Sequence, residues 1–365
     1  MSRILIAGGG TAGHVVPALA LADVLTGRGH QIAFCGTEHD LEKHLVAQAG
    51  YRFFVVRVRG FERKLGLSTL RTIAYLPVAA FDAWKVLDAF RPECVVGVGA
   101  YGSGPLVAEA AVARIPTVAI EMDAHMGWTN RILSKVVDRV CLSFPQTRPG
   151  GGKYVYTGRP IRPALLAATR EQGLARFGLD AARPVLLVFG GSQGAHTLNR
   201  ATIQAFGRVA TPFQVLHITG EHEYHNVAGE LAKTGANPNY QAHPFLDDFP
   251  LALAAADAVV ARAGGSVAEI LARGVPSLLV PYPHAAGDHQ STNARMVAAQ
   301  GAAMAVADRA IDADRLAAAV KTLLDPEVNR RMRAAALRLA RPEATERIAD
   351  VVVELVAARA EKSHD

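Results

Sequence analysis

At 365 residues the chain exceeds one ordinary domain, and two of roughly 150–200 residues are expected. Half of its residues are hydrophobic and a fifth are charged, enough for a large core, yet no apolar run reaches the ~20 residues that span a bilayer. A net charge of +6, with no long Lys/Arg tract and no aromatic-studded basic strand, argues against a nucleic-acid partner and suits phosphate-bearing substrates or an anionic membrane surface.

Met1-Ser2-Arg3 runs straight into a strand at 3–7, so no leader and a cytoplasmic chain are expected. Ile4-Leu5-Ile6-Ala7 leads to Gly8-Gly9-Gly10-Thr11-Ala12-Gly13 and then a helix over about 14–28, with Pro17 expected in its first turn, where a missing N–H is tolerated. A strand feeding a glycine-rich turn into a helix start aims several backbone N–H groups at one spot, and that spot attracts phosphate. Taken alone, Gly8, Gly10 and Gly13 match a dinucleotide fingerprint with Glu38 as ribose acid, or a tight turn that needs glycine only for geometry. His14 follows the glycines, where its imidazole faces the carboxyl edge of a sheet.

Strands at 31–35 and 51–58 with a helix at 39–49 predict a parallel sheet covered on both faces. A helix runs from Ser68 to Phe90, and Pro77 should kink or split it. Its Ile73, Leu76, Pro77, Ala80, Phe81 and Trp84 recur at three- and four-residue spacing, with Arg63, Lys64, Arg71 and Lys85 flanking. Two readings compete: a wide stripe buried against the sheet, or an apolar face rimmed by cations that docks on lipid head groups.

A strand at 94–96 enters a third glycine-rich loop, Gly97 to Pro105, which carries Tyr101. The strand at 117–120 ends in Glu121-Met122-Asp123-Ala124-His125. A metal is conceivable there, but the sequence offers no matching ligand set elsewhere, so none is expected. A helix at 127–136 and strands at 139–143 and 153–157 complete this half. Cys35, Cys94 and Cys141 are scattered, without a CxxC pair, as small core residues of a reduced compartment are.

Thr157 to Pro163, with two prolines and a glycine, is the expected linker between domains at 1–160 and 161–341. The last helix, within 342–365, is expected to cross back onto the first domain. Arg162 in the linker either reaches a phosphate or is solvated. The second half repeats the opening device: Val185 to Phe189, then Gly190-Gly191-Ser192-Gln193-Gly194-Ala195, then a helix. Two such devices suggest two nucleotide-type halves facing each other. Further strands are expected at 214–219, 240–243, 258–261, 277–281 and 303–306. In Arg262 to Glu269, small residues (Gly264, Gly265, Ser266, Val267) leave room for a ligand, and Glu269 either accepts from ribose hydroxyls or complements the helix dipole. His289, Gln290 and Asn293 at the next helix start suit sugar hydroxyls.

Five segments, in order along nearly the whole chain, resemble the MurG family, the peptidoglycan N-acetylglucosaminyltransferases. They are Gly9-Gly10-Thr11-x-Gly13-His14-x-x-Pro17-Ala18, Gly99-x-Tyr101-x-Ser103-x-Pro105, Gly190 to Ala195 with Asn199, the Arg262…Glu269 turn, and Asp288-His289-Gln290-x-x-Asn293-Ala294. The resemblance implies an α/β GT-B fold: two Rossmann-like, doubly wound parallel-sheet domains with a cleft between them. It implies inverting transfer of N-acetylglucosamine from UDP-GlcNAc to the 4-hydroxyl of a muramoyl-pentapeptide on undecaprenyl diphosphate, without a required cofactor. On the donor side it places Ser192, Gln193 and Gly194 at the diphosphate, Leu246 by the uracil, Glu269 on the ribose, His289 and Gln290 on the sugar, and Arg162 as a further contact. On the acceptor side it places Thr11, Ala12, Gly13, His14 and Tyr101. His14 is the first candidate for the base, with Glu121 or Asp123 second. A membrane-facing patch falls on Ile73, Leu76, Phe81 and Trp84, for a peripheral enzyme on the inner face of the cell membrane. The chain departs from the family where Ile120-Glu121-Met122-Asp123 stands for the usual His-Glu-Gln-Asn, so Asp123 holds the place of a donor-contacting asparagine, and in a turn before Glu269 one residue shorter than usual. A GT-B transferase acting on another lipid or natural product, a UDP-GlcNAc 2-epimerase and a non-catalytic binding subunit are the rival readings.

Overall fold

A computed structural model describes residues 1–8, 12–37, 40–58, 67–99, 101–145, 151–191, 193–233 and 237–362. Short apolar runs closed by glycine or polar turns form the strands, and the longer amphipathic stretches between them form helices. The first half holds β1 (Arg3–Ala7), α1 (Ala12–Gly27), β2 (Gln31–Gly36), α2 (Asp40–Gln48), β3 (Arg52–Val55), α3 (Leu67–Phe90), β4 (Cys94–Gly97), α4 (Gly104–Val112), β5 (Thr117–Glu121), α5 (Trp128–Leu133), β6 (Arg139–Leu142) and β7 (Tyr154–Tyr156). The second holds α6 (Pro163–Ala167), α7 (Arg170–Phe177), β8 (Val185–Phe189), α8 (His196–Phe206), β9 (Gln214–Ile218), α9 (Glu221–Lys233), β10 (Tyr240–His243), α10 (Phe249–Ala255), β11 (Ala258–Ala261), α11 (Ser266–Ala272), β12 (Ser277–Leu279), α12 (His289–Ala299), β13 (Ala303–Ala305), α13 (Ala313–Leu324) and α14 (Pro326–Leu339). The chain ends with α15 (Ala344–Lys362).

Two compact units result: Met1–Arg162 with Arg341–Asp365, and Pro163–Ala340. Each contains one sheet, in the orders β3-β2-β1-β4-β5-β6-β7 and β10-β9-β8-β11-β12-β13. Neighbouring strands pair in parallel throughout, for example Ile6 with Phe34 and Val96, and Val188 with His217 and Val260. Parallel strands covered by helices on both faces must be apolar on both faces. Ile4, Leu5 and Ile6 are accordingly fully buried, as are Leu186, Leu187 and Val188.

In the first unit, α1 and α15 cover one face of the sheet: Val15, Leu21 and Leu25 share a core with Ile348, Ala349 and Val352. Helices α3, α4 and α5 cover the other face with Val86, Leu87 and Phe90, with Leu106, Val107 and Ala110, and with Leu133. The departing and returning chain are tied together, because Thr345 Oγ1 accepts from Ile161 N at 3.1 Å and donates to Ile161 O at 2.9 Å. Arg28, directly after α1, pairs with Glu346 and Asp350 on α15. In the second unit, Leu198, Ala201 and Phe206 of α8 and Leu316, Val320 and Leu323 of α13 pack on the sheet.

Two expectations for the helices need correction. Helix α1 starts at Ala12, so Pro17 stands in its second turn rather than its first. A proline there cannot donate to the carbonyl four residues back, that of Gly13. The buried Arg159 guanidinium supplies the missing donor, bonding Gly13 O and also Met122 O at 3.1 Å. Helix α3 runs unbroken through Pro77. Its Ala79, Ala83, Val86, Leu87 and Phe90 are buried, whereas Leu76, Phe81 and Trp84 are exposed, so a single buried stripe does not describe it. The side chain of Ile73 lies outside the described residues.

Candidate active site

In the first unit the strand order reverses between β1 and β4. Loops leaving the carboxyl ends of those strands diverge there and open a crevice, where such sheets bind ligands. His14, in the first turn of α1, places its ring against the loop after β4: a Cβ on Gly99 would lie 3.3 Å from its Cδ2, 3.5 Å from its Nε2 and 3.8 Å from Ile120 O. The imidazole, the β4 loop and the end of β5 therefore converge. Ser103 Oγ, fully buried, donates to Gly99 O at 2.9 Å and fixes that loop, which also carries the part-exposed Tyr101. Thr11 and Glu38 lie outside the described residues, as does the side chain of Ala12.

Glu121, the last residue of β5, is buried. Its Oε1 accepts from Asp123 N, and its Oε2 from Gly127 N and Asn130 Nδ2, each at 3.0 Å. Burial pushes its carboxyl above the usual range despite these three donors. Both oxygens hold the turn from Asp123 to Gly127 in place, so Glu121 organises that turn, which presents the half-buried Asp123. Asn130 on α5 also donates to Ile120 O at 3.0 Å. Arg131 Nη2 lies 3.1 Å from His125 Nε2. Among the described residues no group of His, Cys, Asp and Glu is arranged to hold a metal ion.

In the second unit the order reverses between β8 and β11. Gly194 N donates to Gly191 O at 2.9 Å, closing the turn after β8. Gly194 has φ +78°, and a Cβ on it would stand 2.2 Å from Thr219 O. Only glycine fits, and the β8 turn is pressed onto the turn after β9. Gln193 is exposed; Ser192 lies outside the described residues. Asn199 does not face this loop's outer side. Its Nδ2 donates to Thr219 O at 2.9 Å and its Oδ1 lies 3.0 Å from His217 Nε2. His217 Nδ1 lies 2.6 Å from the Tyr240 hydroxyl. One proton arrangement satisfies the chain: Tyr240 O–H donates to Nδ1, and Nε2–H donates to Asn199. Complete burial pushes the His217 pKa down to about 3, so the ring is neutral.

Across the switch point, the buried Arg262 donates to Val280 O and Pro281 O, each at 3.2 Å, and pairs with Asp308, which also accepts from Thr197 Oγ1 at 3.2 Å. These bonds fasten the loop before α12 to β11 and to the first turn of α8. Gln290 Oε1 accepts from Tyr282 N at 2.9 Å, and a Cβ on Gly264 would lie 3.5 Å from its Nε2. Asn293 Nδ2 donates to Ala263 O at 3.2 Å. His289 Nδ1 donates to Ala286 O at 2.7 Å. Gly264, Gly265, Ser266 and Gln290 thus come together, with Val267 buried beneath and Glu269 half-buried one turn along α11. Leu246 is half-buried beyond β10, at the sheet edge, and Arg162 is half-buried at the end of the first unit.

Sequence reasoning missed Arg159, Asn130, Thr219 and Asp308. The glycine directly after Thr219 was a visible turn signal. The others act on partners 37, 9 and 46 residues away, and no local pattern marks them.

Two doubly wound parallel sheets, each with a ligand crevice where its strand order reverses, have the GT-B architecture. Residues 4–142 match the glycosyltransferase family 28 N-terminal domain, and residues 185–352 its C-terminal domain. The UDP-N-acetylglucosamine–N-acetylmuramyl-(pentapeptide) pyrophosphoryl-undecaprenol N-acetylglucosamine transferase of Anaeromyxobacter sp. (strain Fw109-5) is 41% identical over 98% of this chain and 94% of its own. The crystal structure of Acinetobacter baumannii MurG superimposes with a TM-score of 0.79 at 29% identity, covering 97% of this chain and 100% of that one. The chain belongs to this MurG family of N-acetylglucosamine transferases. The UDP-GlcNAc 2-epimerase of Neisseria meningitidis, at 13% identity and a TM-score of 0.65 over 96% of this chain and all of that one, shares the fold.

Proposed function

We propose that this protein moves N-acetylglucosamine from UDP-GlcNAc to the 4-hydroxyl of a muramoyl-pentapeptide carried on undecaprenyl diphosphate, inverting the sugar to a β linkage. The observation that carries this reading is the pair of switch-point sites, one per sheet, in a chain 41% identical to a relative named for that transfer. The second unit takes the donor. The Gly190–Ala195 turn and the start of α8 meet the diphosphate with backbone N–H groups and the helix dipole. Glu269 accepts from the ribose, His289 and Gln290 hold the sugar, and Leu246 and Arg162 add contacts. Asn199 acts behind the loop, holding it through Thr219. The first unit takes the acceptor at the loops carrying Gly13, His14 and Tyr101.

The chemistry is a single displacement. His14 removes the proton of the acceptor 4-hydroxyl, and that oxygen bonds C1 from the face opposite the UDP. The C1–phosphate bond breaks with its electron pair leaving on UDP, already a good leaving group, whose growing charge is met by the donor-side N–H groups. Asp123, in the turn held by Glu121, stands in the place of the family's donor-contacting asparagine and is the alternative base. This scheme routes no step through a cofactor.

The acceptor is embedded in a membrane, and α3 supplies a way to reach it. No helix among the described residues is long and apolar enough to cross a bilayer. Exposed Leu76, Phe81 and Trp84 instead dock from the cytoplasmic side as a peripheral contact, with Lys85 held 4.5 Å over the Phe81 ring toward anionic head groups.

Incubating the purified protein with labelled UDP-GlcNAc and the lipid-linked muramoyl-pentapeptide tests the reading. Labelled lipid-linked disaccharide and free UDP are expected. UDP-N-acetylmannosamine formed from UDP-GlcNAc alone would show the epimerase chemistry of the Neisseria neighbour instead.

A further inference from the structure

The exposed large hydrophobic side chains of the first unit are unevenly distributed. Among the described residues, α1, α2 and α15, on one side of the sheet, expose none. On the other side, beyond the α3 face, Val112 at the end of α4 is 78% exposed, and Trp128, Ile132 and Val136 along α5 and its following turn are 71%, 60% and 56% exposed. Trp128 and Ile132 stand one turn apart on α5, and Val136 follows in the turn after it, extending the row. The opposite side of the same segment, Leu133 and Val137, is in the core, so the row is not core displaced by misfolding of a short helix. Helix α4 packs against both α3 and α5. The apolar row on α5 therefore continues the layer that bears Phe81 and Trp84.

Charge selects the occupant. Residues 128–139 carry Arg131, Lys135 and Arg139 against a single acid, Asp138. Asp138 is engaged with Thr117, through the backbone N–H at 2.8 Å and the hydroxyl at 2.9 Å. None of the three cations has an ion-pair partner among the described residues. Arg131 lies 5.7 Å over the Trp128 ring. An aromatic and two aliphatic side chains in a row, flanked by unpaired cations, match an interface with apolar depth and negative head groups.

We propose that α5 is a second lipid-docking element, continuous with α3, which seats Trp128, Ile132 and Val136 in an anionic bilayer. The inference rests on the docking reading of α3 and extends it to the helix that begins where the Glu121–Gly127 turn ends. Since Asn130 of α5 bonds Glu121, the bilayer contact and the acceptor-side turn share one short segment.

The chain contains two tryptophans, Trp84 on α3 and Trp128 on α5, so each helix can report separately. In a Trp84→Phe variant, Trp128 emission should shift to the blue on adding vesicles of phosphatidylcholine with phosphatidylglycerol, and brominated lipid should quench it. Phosphatidylcholine alone should act more weakly. The Trp128→Phe variant reports on α3 in the same way. A response from Trp84 with none from Trp128 overturns the inference and leaves the α3 reading standing; silence from both removes docking altogether. An Ile132→Ser, Val136→Ser double variant, which alters exposed side chains and should keep the wild-type melting temperature, should partition into these vesicles at least about tenfold more weakly. If vesicle binding is unchanged while sedimentation shows a dimer turned monomer, the face joins two copies of this chain and the proposal fails.

Discussion

At the residue scale, two acidic or basic candidates at the end of β5 and the start of α1 differ in how their atoms are engaged. Glu121 has three donors on its two oxygens, all from its own turn, whereas the His14 ring edge lies along the crevice beside Gly99. A His14→Ala variant should therefore lose about 10²–10⁴-fold in turnover while titration calorimetry shows UDP-GlcNAc affinity close to wild type. Unchanged turnover would remove His14 as the base. Glu121→Gln should act on the fold instead. Its amide would turn an N–H₂ toward a donor, at a cost of about 1–3 kcal/mol measured by urea unfolding. His217 gives a pH signature. Its pKa falls from an ordinary value near 6.5 to about 3 in the fold. Between those values the unfolded chain binds the proton and the folded chain does not. Its contribution is therefore complete above about pH 6.5 and is lost as pH falls, by roughly 1.4 kcal/mol per unit down toward 3. A His217→Asn variant, compared with wild type by denaturant unfolding at several pH values, should show a flatter fall across that window.

At the element scale, the turn after β8 depends on a close approach. Gly194→Ala places a Cβ against Thr219 O in a left-handed backbone, so the turn must move off the β9 end. UDP-GlcNAc binding should weaken by about tenfold or more, as a loss of roughly 1.4 kcal/mol or more would give. Gly229→Ala, in α9 with open space around it, should leave binding intact and stabilise the chain by up to about 1 kcal/mol. Equal effects of the two substitutions would sink the close-approach argument. The strands were legible because parallel-sheet strands are unbroken apolar runs, and the glycine turns because few residues follow such a strand into a helix. Pro17 was misplaced because the partner that makes an interior proline tolerable, Arg159, lies far along the chain. Periodicity in α3 showed apolar residues on more than one side but not which side the sheet would take. The networks behind the donor loop, Asn199 with His217 and Arg262 with Asp308, join residues 18 and 46 apart, and nothing local in either segment signals the other.

At the scale of the whole molecule, the two units are unequal in how they are closed. The second is one continuous segment, Pro163–Ala340, while the first needs both ends of the chain. Ile348 and Val352 are fully buried against α1, the Thr345 hydroxyl is bonded to both backbone groups of Ile161, and Arg28 is paired with Glu346 and Asp350. Two such side chains at ~1.5–3 kcal/mol each amount to about 3–6 kcal/mol. That is a large share of the ~5–15 kcal/mol by which a domain is stable. A chain ending at Ala340 should therefore lose stability in the first unit alone. At about 2–4 °C per kcal/mol for a domain of this size, calorimetry should show one transition lowered by roughly 10 °C or more and a second unmoved. Binding of UDP to the second unit should persist, because every donor-side residue except Arg162 and Asp123 lies within Pro163–Ala340. An equal fall in both transitions, or loss of UDP binding together with the first transition, would mean that α15 supports the molecule as one cooperative body.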